Sequence, residues 1–265
     1  MPSSAILTLD DLRHRIRLLE RPAARNGRIL PFGIAAIDNH LPDGGLSQAA
    51  LHEVAGGGPD AVHAASAALF AAGILARMDL PVLWCAMPCA GGGKLFAPGL
   101  AGAGLHPDRV IHAEAPDEAT VLLVMEEALR HPGLSAVVGE LSRLPMTASR
   151  RLVLAAEKSG VMALALHRAR EGRPLLRPGD TGLTAATTRW CITPAPSASL
   201  SGFGSPGLQL TQVDGALGRA RWQVALTRCR GGQPETWMME ACDAQGRLAV
   251  PAELAHGPAA ARWVA

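Results

Sequence analysis

Short apolar runs alternate with longer helix-like segments over most of the chain. The strand-like runs are LHEV (51–54), PVLWCAM (81–87), RVIHAE (109–114), LSAVVGEL (134–141) and VMALALH (161–167). The segments between them include residues 64–78, 117–131 and 147–160, which have the length and apolar content of helices that pack on a core. Apolar strands that alternate with helices predict a mostly parallel sheet covered by helices on both faces.

The third of these helices carries its own end signals. Thr147 or Ser149 could supply a hydroxyl N-cap, and Gly160 stands where a helix would end with a left-handed residue. We therefore expect a helix that begins at one of these hydroxyl residues and stops at the glycine.

The amino-acid composition of the chain changes after Arg168. Residues 169–186 are rich in glycine, proline and arginine and predict a loop. Four runs, TTRWCIT, ARWQVALTRCR, ETWMMEAC and RLAV, then read as strands with no helices between them. This order predicts an antiparallel extension at the carboxyl end of the sheet, with Trp190 and Trp222 in its core.

The amino-terminal segment predicts one short amphipathic helix from Leu9 to Glu20. Its apolar positions recur at spacings of three and four and so share one face: Leu9, Leu12, Ile16 and Leu19. The connector RPAARNGR separates this helix from the rest of the chain. The helix therefore either packs back on its own domain or serves as a docking helix for a partner. We divide the chain into this helix and linker (1–28), a core domain (29–255) and a tail (256–265).

Composition narrows the class of protein. Apolar residues make up 48% of the chain and charged residues 18%, which is typical of a globular domain. No apolar run is long enough to cross a bilayer, and charges interrupt the amino-terminal apolar positions, so we expect a cytoplasmic protein with no membrane association. The five cysteines include no CxxC pair, which favours free thiols over a metal centre or a disulfide framework.

Charge is unevenly distributed along the chain. Residues 1–140 hold 10 basic and 15 acidic side chains, whereas residues 141–265 hold 15 basic and 8 acidic ones. A basic half is typical of a face that binds nucleic acid or an acidic partner, and it is also compatible with an ordinary solvated surface.

One loop between a strand and a helix resembles a phosphate-binding loop without its chemistry. Such loops follow the pattern G-x-x-x-x-G-K-[ST], in which lysine balances the phosphate charge and the hydroxyl binds magnesium. Gly56 matches the first glycine, but Ala61, Val62 and His63 replace the second glycine, the lysine and the hydroxyl residue. Glu140 lies one place beyond the usual magnesium-site carboxylate at the end of AVVGEL, and it is either a displaced relic of that carboxylate or a surface charge at the end of the strand. We therefore expect no ATP hydrolysis, no bound cofactor and no enzymatic activity.

The wider arrangement resembles the RecA recombinase core. LPFGIAAIDNHLPDGGLSQAALHEVAG (30–56) is similar to the segment that leads into the RecA phosphate loop, and DTGLTAATTRWCI (180–192) is similar to its second DNA-binding loop and the strand after it. LFAPGLAGAGLHPDRVI (95–111), AVVGEL and RCRGGQPETWMMEACD (228–243) resemble the ImuA family more specifically. The resemblance covers about residues 5–250.

This resemblance implies a RecA-like α/β core with a mostly parallel central sheet, flanking helices and an antiparallel carboxyl-terminal extension. It implies an accessory protein of SOS-induced translesion synthesis and mutagenesis. The implied protein binds an ImuB-like Y-family polymerase homologue, with RecA, DNA and further copies of itself as additional candidate partners. It would be cytoplasmic and associated with the nucleoid when active. Two alternatives remain open, namely an ATP-dependent RecA-like DNA-binding protein and a SulA-like cell-division inhibitor.

The resemblance also nominates arginines. Arg228 and Arg230 match basic positions near the RecA subunit interface, although their period of two would equally place both in solvent on one face of an edge strand. The candidate DNA contacts, which would be weak and independent of sequence, are Arg150, Arg151, Arg168, Arg170, Arg173 and Arg177.

Overall fold

The computed structural model describes residues 28–88, 95–168, 183–197 and 218–251. The predicted helix Leu9–Glu20, the candidate DNA contacts Arg170, Arg173 and Arg177, and the tail at 256–265 lie outside these described residues. The proposed division into helix, core and tail stays a prediction.

Ten strands occur in the described part of the chain. They are β1 (Ile29–Leu30), β2 (Leu46–Ser47), β3 (Leu51–Gly56), β4 (Val82–Ala86), β5 (Val110–Glu114), β6 (Ala136–Leu141), β7 (Met162–His167), β8 (Thr188–Ala195), β9 (Arg221–Cys229) and β10 (Glu235–Glu240). β1 and β2 form a small antiparallel pair. The other eight form one sheet in the order β10-β9-β8-β3-β7-β6-β4-β5.

Strand directions within the large sheet follow the predicted division of the chain. The pairs from β8 through β3, β7, β6 and β4 to β5 are all parallel. β9 runs antiparallel to β8, and β10 runs antiparallel to β9. The structure therefore confirms a mixed α/β fold with a mostly parallel central sheet and an antiparallel extension.

Five α-helices accompany these strands: α1 (Ala35–Asp38), α2 (Asp60–Ala76), α3 (Ala97–Gly102), α4 (Glu118–Ala128) and α5 (Met146–Ser159). α2 packs on one face of the sheet over β8, β3 and β7, while α4 and α5 contribute to a second apolar cluster on the other face. Helices cover both faces because the parallel strands are buried on both sides. Among the described helices, none combines the length and apolar character needed to span a bilayer.

Two local predictions need correction. α5 begins at Met146 after Pro145, and no side chain caps it, so neither Thr147 nor Ser149 is the N-cap. The Ser149 hydroxyl instead donates to the Met146 carbonyl and accepts from the Ala185 amide. Gly160 does end the helix, with φ of 80°.

The run RLAV forms no strand, and Ala249 makes only an isolated antiparallel bridge to Glu240. The sequence pattern could not reveal this difference because a strand is stabilised by its neighbour rather than by its own residues.

Aromatic side chains organise the core on the α2 face. Trp190 is fully buried, and its ring centroid lies 5.5 Å from that of Phe70 and 5.3 Å from that of Phe32. Trp222 is also buried, as predicted. These contacts join α2, β8 and the segment after β1, and they hold the amino end of the core against the sheet.

Candidate functional site

The loop at the end of β3 connects the strand directly to α2. The amide of Gly57 donates to the Ile192 carbonyl at 2.9 Å, which fixes the loop to β8. The amides of Val62 and His63 both donate to the Pro59 carbonyl at 3.0 Å, within the first turn of the helix. The predicted strand–loop–helix geometry is present, but these two helix amides already have internal partners.

The glycines of this loop are packed against side chains. A Cβ at Gly56 would lie 2.6 Å from the Cβ of His63, and one at Gly58 would lie 2.5 Å from His63 Nε2. A Cβ at Gly57 would meet the Thr193 hydroxyl oxygen at 2.0 Å. The His63 imidazole therefore packs against Gly58, while the close approach at Gly56 involves the Cβ and backbone of residue 63.

The residue at the lysine position carries no charge and points to solvent. Val62 is 61% exposed, and its neighbour Ala61 is also exposed. Asp60 adds a carboxylate in the first turn of α2. A bound polyphosphate would thus meet a negative charge and a valine where it needs a cation.

Glu140 forms an ion pair inside the fold. The Arg168 guanidinium donates to its two carboxylate oxygens, from Nε at 3.0 Å and from Nη2 at 2.8 Å. Trp84 Nε1 donates to the same carboxylate at 3.0 Å, and Arg168 Nη1 donates to the Ala64 carbonyl of α2 at 2.9 Å. This pair joins the ends of β6 and β7 to the helix that follows the loop, and it uses the acceptors that a hydrated magnesium ion would need.

A fully buried carboxylate lies at the centre of the sheet, in a cluster that the sequence patterns did not reveal. Glu53 of β3 is fully buried and accepts hydrogen bonds from His167 Nε2 at 3.0 Å and Arg189 Nε at 3.0 Å. The Thr184 hydroxyl donates to its other oxygen. Burial raises the pKa of Glu53, but the hydrogen bonds and charges of His167, Thr184 and Arg189 outweigh it and lower the pKa to about 2.

The neighbouring residue His52 belongs to a separate network on the other side of β3. Its Nε2 donates to the Ser47 carbonyl at 2.9 Å, and its Nδ1 lies 2.7 Å from the Thr188 hydroxyl. Trp190 Nε1 donates to that hydroxyl oxygen at 2.9 Å. Desolvation by burial lowers the pKa of His52 to about 4, against a smaller opposing effect of the Ser47 carbonyl, so the ring is neutral and the hydroxyl donates to Nδ1.

A sequence signal for both networks existed. LHEVAG places a histidine and a glutamate side by side in a strand whose other members are apolar or small. Ionisable residues are rarely fully buried without partners. The pattern therefore indicates satisfied polar groups, although it cannot identify their partners.

The remaining candidate arginines fall in separate places. Arg150 of α5 is exposed, and the neighbouring Arg151 pairs with Glu126 of α4. Arg228 donates to the Thr184 carbonyl at 2.8 Å. Arg230 lies in the turn after β9, where its amide donates to the Thr187 carbonyl. Arg151 and Arg168 bind different carboxylates, so the contacts do not gather these side chains into one cluster.

Comparison with known proteins defines the family. No family model matches the chain. The chain is 39% identical over 221 residues to Protein ImuA of Caulobacter vibrioides strain NA1000 / CB15N, a match that covers 82% of this chain and 84% of the relative. The same values hold for Protein ImuA of Caulobacter vibrioides strain ATCC 19089 / CB 15. Identity at this level over most of both chains places this protein in the ImuA family.

Proposed function

We propose that this protein is a non-catalytic adaptor with a RecA-like core that acts in SOS-induced translesion synthesis and mutagenesis. The observation that carries the proposal is the position of His63 against Gly56 and Gly58, within a loop that also lacks the lysine and the hydroxyl. A loop filled by its own helix leaves the fold available for binding other macromolecules rather than for hydrolysing a nucleotide.

The Glu140–Arg168 pair supports the same conclusion. A carboxylate that accepts two guanidinium hydrogen bonds and an indole hydrogen bond has little capacity left for a metal-bound water. In this proposal the two parts of a RecA-type nucleotide site are the phosphate loop and the magnesium-site carboxylate. Both correspond here to groups that already have partners within the fold.

The partners in this proposal are an ImuB-like Y-family polymerase homologue first, then RecA and DNA. The family relationship supports a role beside such a polymerase homologue. The surplus of basic residues in 141–265 supports weak, sequence-independent contact with DNA, for which the exposed Arg150 is available. The protein would work in the cytoplasm and join the nucleoid when active.

Equilibrium titration with a fluorescent ATP analogue and magnesium tests the loss of the nucleotide site. The native protein should give no saturable binding up to about 1 mM, which corresponds to less than about 4 kcal/mol of binding free energy. Val62→Lys is the matched comparison, since it restores the charge at an exposed position while His63 still fills the loop. Tight magnesium-dependent binding by the native protein would show that it is an ATP-dependent RecA-like protein instead.

Binding of the full-length protein to the ImuB-like partner and to single-stranded DNA tests the adaptor role separately. Calorimetry should give a measurable complex with the ImuB-like protein without nucleotide. DNA binding should weaken steeply as salt rises, because contacts to phosphates release counterions. If no complex forms with the ImuB-like protein in either the presence or the absence of DNA, the adaptor proposal is wrong.

A further inference from the structure

β5 forms one edge of the sheet, and within the described ranges its outer side has no neighbouring strand. Its five residues, Val110–Glu114, pair with β4 in regular parallel register without a bulge. α4 packs mainly over β6 and β4 rather than over β5, and Ile111 is accordingly 50% exposed. The edge is therefore open beside the strand and partly open on its α4 face.

The backbone of β5 presents His112 and Glu114 to the open side. The Ala115 amide donates to the Ala86 carbonyl of β4 at 3.0 Å. Because the backbone groups of an extended chain alternate between its two sides, those of alternate residues before Ala115 also face β4. The backbone groups of His112 and Glu114 face outward, and among the described residues they have no hydrogen-bond partner.

The edge also lacks the features that usually prevent a strand from pairing with another chain. Natural edge strands commonly carry a central lysine, a proline or a bulge for this purpose. Between Val110 and Glu114 the strand has none of these. A regular, unprotected edge of this kind is suited to accept a further strand.

The sequence of the edge, IHAEA (111–115), is complementary to itself when two copies run antiparallel about Ala113. His112 of each copy then lies opposite Glu114 of the other, so that an imidazole meets a carboxylate twice. On the opposite face of the sheet, the large Ile111 lies beside the small Ala115 of the other copy. His112 and Glu114 are both exposed, and neither side chain has a hydrogen-bond or ion-pair partner among the described residues.

Backbone geometry permits this register, and charge favours it. In an antiparallel pair, opposite residues whose backbone groups face each other exchange both of their hydrogen bonds. His112 and Glu114 are such residues. A register centred on His112 would also pair the outward groups, but it would set two imidazoles together and place Glu114 opposite Val110. Opposite charge therefore selects the register about Ala113.

We propose that β5 pairs with β5 of a second copy of this chain, antiparallel and centred on Ala113. The pairing continues the sheet across both copies, satisfies the outward backbone groups of His112 and Glu114, and covers the exposed Ile111. Because both copies use the same strand, the dimer is closed and does not extend into a filament. This inference does not depend on the adaptor function.

Sedimentation equilibrium of the full-length protein, without partner or DNA, tests the proposal. The native protein should dimerise between about 1 and 100 μM and be monomeric at greater dilution. His112→Glu sets carboxylates opposite each other and should raise the dissociation constant at least about 10-fold. Combining it with Glu114→His exchanges the two groups and should restore the constant to within about threefold of the native value. Leu154→Glu is the matched control, because Leu154 is 65% exposed on α5 and should leave dimerisation unchanged.

The combined variant also guards against misfolding of the single variant, because a protein that regains dimerisation has folded. The proposal is overturned if the native protein stays monomeric throughout this range, or if His112→Glu dimerises as the native protein does. A combined variant that stays dissociated would contradict the register and also overturn it. Assembly beyond a dimer would place the contact on another surface, since a pair of identical edges is closed, and would overturn it as well.

Discussion

Arg168 donates to both carboxylate oxygens of Glu140 and, through its third nitrogen, to the backbone of α2 at Ala64. The two side chains are 22% and 14% exposed, so the pair is partly shielded from water. It connects β6, β7 and the helix after the loop. Arg168 was a candidate DNA contact, and the structure gives it a place inside the fold while its role toward DNA stays a prediction.

Breaking this pair should destabilise the protein. Arg168→Met removes the guanidinium and leaves Glu140, among the described residues, with only the Trp84 hydrogen bond, so we expect a loss of about 1–3 kcal/mol in the free energy of unfolding. Urea denaturation measures it. Arg150→Met is the control, since Arg150 is exposed, and it should change stability by no more than about 0.5 kcal/mol. Equal effects of the two variants would contradict a structural role for the pair.

The loop glycines should differ in their tolerance of a methyl group. Gly56→Ala places Cβ against the Cβ and backbone of His63, which cannot move away, and should cost about 1–3 kcal/mol. Gly58→Ala meets only the tip of the imidazole, which can rotate, and should cost less than about 1 kcal/mol.

Adding His63→Ala distinguishes the two positions by thermal or urea denaturation. The second change should remove the cost of Gly58→Ala but leave most of the cost of Gly56→Ala, because Cβ and the backbone of residue 63 remain. Loss of both costs would mean that the ring alone fills the loop.

The free energy of unfolding should fall in mild acid because His52 binds a proton more readily in the unfolded state than in the folded state. Its pKa is depressed to about 4 from an ordinary value of 6.5, so its stabilisation is complete above pH 6.5 and is lost as pH falls toward 4. Between pH 7.5 and 5 the free energy of unfolding should drop by about 2 kcal/mol on this account.

The comparison of two variants isolates this contribution. His52→Gln should flatten the dependence between pH 6.5 and 5 even if it lowers stability overall, whereas His112→Gln removes an exposed imidazole and should keep the native dependence. Glu53 acts in a lower window, because its pKa is depressed to about 2 and its stabilisation is lost only as pH falls below about 4.5. A native-like slope in His52→Gln would contradict the assignment.

The Thr188 hydroxyl should be more important than its size suggests. It accepts from Trp190 and donates to His52, and all three side chains are buried. Thr188→Val keeps the volume but leaves two buried polar atoms without partners, so we expect a loss of about 2–4 kcal/mol by chemical denaturation. Thr188→Ser keeps the hydroxyl and should cost less than about 1.5 kcal/mol. A smaller loss in the valine variant than in the serine variant would refute the network.

Much of the sheet could be predicted from local patterns. The runs at 51–54, 134–141 and 161–167 are strands because each is apolar enough to be buried on both faces, and that property is visible without a partner. The prediction of a strand at RLAV was wrong because strand pairing there depends on how the chain returns to β10. Ser149 is not the cap because the helix begins three residues earlier, at Met146, and its hydroxyl bonds the Ala185 amide, 36 positions away.

The sequence by itself determined the alternation of strands and helices, the family, and the loss of lysine and hydroxyl at Val62 and His63, since each is written in consecutive residues. Only the tertiary structure decided that His63 packs against the loop glycines, that Arg168 binds Glu140, and that Glu53 meets groups 114, 131 and 136 positions away. Those contacts depend on which strands become neighbours. Strand order is set by packing of the whole chain, and no local pattern records it.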